Sequence, residues 1–199
     1  VLIARKRTGR PLPSRETWKL VLPSGLFFGL NIAIFFTAIT RTSIAHAEFI
    51  TTLTPLALLP AGAAFFGERP NWGALKFGLI SVVGISLVLT FGPKGGEATL
   101  GGNLLMVLVI GTWTSYMLTS KRARTRGVDV LDFMACMMPF SLITAGPIAA
   151  SIAGTGLFSL SARGWFVVAL LALVTGMLGH GCIIYAQRHL PVATISIIQ

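Results

Sequence analysis

Apolar residues in this chain come in runs separated by short polar links. A helix needs about 20 apolar residues to cross the hydrocarbon layer of a bilayer, so each long run predicts a membrane span. Six complete spans are predicted, over 18–40, 43–66, 71–91, 101–119, 130–152 and 164–187, and a seventh opens near 191. The end of the second is unusual. Its stretch TLTPLALLPAGAAFFGERP, residues 52–70, holds Pro55 and Pro60 and stops at Gly67-Glu68-Arg69-Pro70. Proline inside a helix removes a backbone donor and crowds the preceding turn. In a bilayer, neighbouring helices and hydroxyl side chains can satisfy the carbonyls so freed.

Composition agrees with that solvent. Only 11% of the 199 residues are charged, against roughly a quarter in soluble domains, and the mean hydropathy is +0.80. Too few polar groups are present to cover a globule in water. The net charge of +10 would suggest phosphate binding if it formed a folded basic face. Here the basic residues stand in the links, where they set topology instead, and no nucleic-acid partner is expected. Numbering the links by parity, 13 of the 16 basic residues fall on one side, including Arg5, Lys6, Arg7, Arg10, Arg69 and the Lys121–Arg126 cluster. Arg41, Lys94 and Arg163 fall on the other. The first side is therefore expected to be cytoplasmic.

Glycines cluster within spans: Gly25 with Gly29, Gly78 with Gly84, and Gly176, Gly179 and Gly181. Small residues let helices approach closely where packing drives association. Cys136 and Cys182 read as two small buried hydrophobes. A weak repeat relates AITRTSIAHAEFI (38–50) to AQRHLPVATISII (186–198), pairing Ala38 with Ala186, Ala45 with Ala193 and Ile50 with Ile198. One copy lies on the outer side and the other on the cytoplasmic side, as expected of inverted repeats.

The stretch TTLTPLALLPAGAAFFGERPNWGALKFGLISVVGISLVL resembles the fourth and fifth helices of an EamA-type repeat of the drug/metabolite transporter superfamily. GGNLLMVLVIGTWTSYMLTSKR resembles the helix that opens the second repeat, and GMLGHGCIIYAQRHLPVATIS its third helix running into its fourth. The resemblance implies an all-α bundle of ten helices in two inverted five-helix repeats. The chain would then be an internal fragment covering about helices three to eight and the start of nine. It would divide at 1–91 and 92–199.

Polar groups inside hydrocarbon are costly and usually face a cavity. The candidates for lining one are Asn31, Glu48, Thr52, Trp113, Tyr116 and His180. Glu48 lies about 7 to 8 Å inside its span at 1.5 Å per residue, with Thr51 and Thr52 on the same face. It would hold a substrate amine or exchange a proton, or else snorkel outward toward Arg41. His180 stands among Gly179, Gly181 and Cys182, and the glycines leave space round the ring. Trp113 and Tyr116 share a face, either on a substrate path or in an aromatic belt or helix packing. Glu68 is expected to favour the start of the helix that follows it.

No paired carboxylates, nucleophile elbow or phosphate-binding glycine loop is present, so no cofactor and no enzyme chemistry are expected. The expected function is a secondary transporter or exporter of a small amino acid-like or drug-like metabolite, working by alternating access in a bacterial inner membrane. A lipid-modifying membrane enzyme would need polar clusters at one face, and a non-transporting scaffold would scatter its polar residues. The expected partners are the small-molecule substrate, the bilayer, a coupling proton or ion and, in a homodimer, a second copy of the chain.

Overall fold

The computed structural model describes residues 11–69, 72–91, 98–192 and 194–195. Arg5, Lys6, Arg7, Arg10, Lys94, Ala193 and Ile198 lie outside the described residues, as do the surroundings of Gly78. Every regular element described is helical: α1 Arg15–Ile39, α2 Ile44–Thr51, α3 Thr54–Phe66, α4 Trp72–Phe91, α5 Leu100–Thr125 and α6 Val130–Ala153. A 3₁₀ turn follows over Gly154–Phe158, then α7 Ala162–Leu171, a π-helical stretch Ala172–Gly179, and α8 His180–Ala186. Among the described residues, Arg15–Ile39, Ile44–Phe66, Leu100–Thr125, Val130–Ala153 and Ala162–Ala186 are long and apolar enough to cross a membrane. The chain is a polytopic all-α membrane protein.

The helices begin where short polar side chains can satisfy the free N–H groups of the first turn. Ser14, Ser43, Thr99 and Ser161 each accept from the backbone N–H three residues on, and Asp129 from that two residues on. Two expectations change. The second span is broken at Thr52–Leu53, because Pro55 cannot bond back to the Thr51 carbonyl. The Thr54 hydroxyl takes that acceptor at 2.6 Å, and the hydroxyls of Thr51 and Thr52 likewise donate to Glu48 O and Phe49 O. The fourth span ends at Thr125 rather than 119, so Lys121–Arg124 are helix and not link. Lys and Arg are good helix formers, and cations suit a helix C-terminus.

The chain packs as two compact units. The first takes residues up to Gly29 and Thr119–His189. In it α1 meets α6 so closely that a Cβ on Gly25 would stand 2.5 Å from Phe140 Cβ, and one on Gly29 would strike Ser141 O. Ser141 Oγ donates to Gly25 O and Thr144 Oγ1 to Leu26 O, at 3.1 and 3.2 Å, while Trp18 meets Phe140 edge-on. The packing role expected of Gly25 and Gly29 is met. Gly84, in the other unit, has nothing near its Cβ position. Cys136 is buried as expected, but Cys182 is exposed, because α8 buries its His180–Ile184 face instead.

The second unit takes Leu30–Leu118 and the residues from Leu190 on. Its core joins Ala38 of α1, Ala47 and Ile50 of α2, and Met106 and Val109 of α5, with Ile34, Phe35 and Leu105 packed round them. The link before α2 docks on the start of α5. Arg41 O accepts from Thr99 N and Thr99 Oγ1, and Thr42 Oγ1 donates to Asn103 Oδ1. A Cβ on Gly102 would run into the Arg41 carbonyl.

Candidate functional site

Five of the six cavity candidates belong to the second unit: Asn31, Glu48, Thr52, Trp113 and Tyr116. Asn31, buried on α1, donates through Nδ2 to Val109 O at 2.8 Å and to Thr112 Oγ1 at 2.9 Å on α5. Val109, Thr112, Trp113 and Tyr116 recur at helical spacing, so they form one stripe on α5. The Trp113 and Tyr116 rings lie 5.2 Å apart. Asn31 is thus joined to the polar end of a stripe whose aromatic end is Trp113 and Tyr116. Tyr116 has no exposed surface, and with α5 running on to Thr125 it stands more than two turns inside the helix. Thr112 is a partner that the sequence reading missed; its signal was the i, i+4 spacing to Tyr116.

Glu48 is exposed, one turn before the break that contains Thr52. At the break, Glu48 O takes Thr52 N–H and the Thr51 hydroxyl. His46, half-buried, bonds Ser43 Oγ through Nδ1 at 2.6 Å while its own N–H donates to the same hydroxyl oxygen.

His180 belongs to the first unit. It is buried, and its ring centroid lies 4.7 Å from that of Phe28 on α1. The π-helical stretch ends at His180. Such widened turns rotate the residues that follow them and often accompany functional sites. One turn before Phe28 on the same face of α1 stands Ser24, wholly buried, whose hydroxyl has no hydrogen-bond partner among the described residues. Phe28 could not be foreseen as the partner of His180, since the two are far apart along the chain.

Two charged side chains act on helix ends. Arg124 is buried in the first unit, donating from Nε to Ile184 O at 2.9 Å and from Nη1 to Val128 O. A cation placed on carbonyls of the last turn of α8 has the favourable sign for that end. In the second unit, Glu68 accepts from Val192 N–H with both oxygens, at 2.9 and 3.2 Å. Glu68 was expected to favour the start of the helix that follows it, and residues 70 and 71 before that helix lie outside the described residues; its carboxylate serves the helical turn that opens at Val192. The chain turns back at Gly67, whose φ of 63° suits glycine, with Gly67 N–H bonded to Ala63 O. A Cβ on Gly62 would lie 2.8 Å from Glu68 Oε2, so glycine there leaves room for the carboxylate.

Among the described residues no group of three or more His, Cys, Asp or Glu could hold a metal ion. No curated protein and no solved structure matches the chain. Residues 1–90 and 100–199 each match the family model of the EamA-like transporters, and the chain belongs to the EamA-like transporter family.

Proposed function

We propose that these residues form the greater part of a ten-helix secondary transporter, built of two inverted repeats divided near residues 91 and 92, that moves a small amino acid-like or drug-like metabolite by alternating access. Membership of a transporter family, matched once by each half of the chain, is the observation that carries the reading. The weak repeat supports it with equivalent backbone bonds. Arg41 N–H bonds Ala38 O at 2.8 Å, and His189 N–H bonds Ala186 O at 2.9 Å. Ala47 N–H reaches Ser43 O as Ile195 N–H reaches Pro191 O. Two candidate substrate contacts follow, one in each unit: the Asn31, Thr112, Trp113 and Tyr116 stripe with Glu48 and Thr52, and His180 beside Phe28. Transport draws on a substrate gradient or a coupled proton or ion, not on catalysis. The membrane is a bacterial inner membrane, with the Arg69 and Arg126 turns cytoplasmic.

The test uses the reading frame that contains residues 1–199, in proteoliposomes, with uptake and efflux of a metabolite panel. At least one compound is expected to move, with His180→Ala and Trp113→Ala each cutting its rate about tenfold, as loss of a substrate contact does. Absence of any transport by the unaltered protein overturns the reading.

A further inference from the structure

Glu68 is the residue that the reading above leaves without a role. Its carboxylate reaches across 124 positions of sequence to one backbone N–H, and Val192, which owns that N–H, is fully buried. The carboxylate is held at its root by the left-handed Gly67 and given its space by Gly62. At the aligned helix start, the Ser43 hydroxyl accepts from His46 N–H, so a residue of the same turn supports it. Pro191, at the position of Ser43, has no hydroxyl to offer. The start at Val192 thus depends on a group carried by the turn after α3. A bond of this kind is strong while its partners are apposed, and it is lost whole when they separate.

We propose that Glu68 is a cytoplasmic latch: it bonds Val192 N–H when the cytoplasmic ends of α3 and of the helix opening at Val192 are together, and releases it when they part in the transport cycle. The latch rests on the alternating-access reading. Closing the latch favours the state open to the outside. Releasing it shifts the population toward the state open to the cytoplasm, and each state excludes the other.

Two substitutions release the latch by different routes. Gly62→Ala pushes on the free end of a flexible side chain, not on backbone, so the fold survives while the carboxylate is displaced. Glu68→Leu keeps the approximate size and removes both acceptor oxygens. Reporter cysteines replace Val192 or Ala47, both buried, in a protein whose Cys136 and Cys182 are serine. An impermeant maleimide is applied to the cytoplasmic face for position 192 and to the outer face for position 47. Both substitutions are expected to raise labelling at 192 about tenfold, the factor that loss of a charge-assisted bond commands, and to lower it at 47. Unchanged labelling at 192 overturns the latch. A rise at both positions also overturns it, since that is loosened structure and not a shift between states. Transport of the metabolite panel by the unaltered protein is read separately. Reciprocal labelling without transport sinks the transporter reading alone, and transport with labelling unmoved sinks the latch alone.

Discussion

The helix starts at Ile44 and Val192 have the same backbone turn and opposite means of support. Each follows a three-residue turn that closes on an alanine carbonyl, and each makes its first helical bond to the residue before it. At Ile44 one first-turn N–H, that of His46, meets Ser43 from the same turn, and the link behind it rests on Thr99, Gly102 and Asn103. At Val192 the N–H meets Glu68 from a distant turn. One start is fixed by its own sequence. The other is fixed only when another part of the unit is in place, so it can serve as a moving part.

Breaking the fixed start should have the largest effect. Gly102→Ala sets a methyl group against the Arg41 backbone, which cannot move like a side chain. Overpacking of that kind costs about 3 kcal/mol. In a Cys182→Ser background the buried Cys136 reports unfolding through a thiol-reactive dye, and its midpoint should fall by several degrees. An unshifted midpoint would mean that the link does not bear on α5.

Glu68→Ala comes next. It leaves a buried N–H without its charged acceptor, a loss of about 2 kcal/mol. Adding Pro191→Ser to that variant would give the second start the chemistry of the first and recover about 1 kcal/mol, the usual worth of a serine cap. The same dye measurement decides this, and no recovery would show that the two turns are not equivalent. Ser43→Ala is the smallest change, about 1 kcal/mol from one local cap. Should it exceed Glu68→Ala in the melting assay, the contrast between a local and a distant support is reversed.

The all-helical fold was legible because apolar run length is a local property. Predicted and observed bounds of the spans at 43–66, 71–91 and 130–152 agree within about one residue. The span at 101–119 came out six residues short, because hydropathy falls at Lys121 while helix propensity does not. Gly25 and Gly29 could be read as packing positions from spacing alone. The site was less legible, because its pairings join residues far apart in sequence: Asn31 with Val109, Phe28 with His180, Glu68 with Val192. The polar member of each pair stood out in an apolar run. Its partner did not, since a backbone carbonyl, a phenyl ring or an N–H carries no mark in a sequence.

The break at Thr52–Leu53 also bears on how the protein enters its membrane. α2 has 8 residues and α3 has 13, lengths of about 12 and 20 Å at 1.5 Å per residue. Neither alone matches a hydrocarbon layer of about 30 Å. The insertion machinery must therefore accept Ile44–Phe66 as one 23-residue segment, judged on summed apolarity rather than on a continuous hydrogen-bond ladder. Apolar residues such as Leu56, Leu58 and Leu59 decide whether the segment enters, while Pro55 and the threonine hydroxyls decide what shape it takes once inside. Biogenesis and bend at this span are thus written largely in different residues.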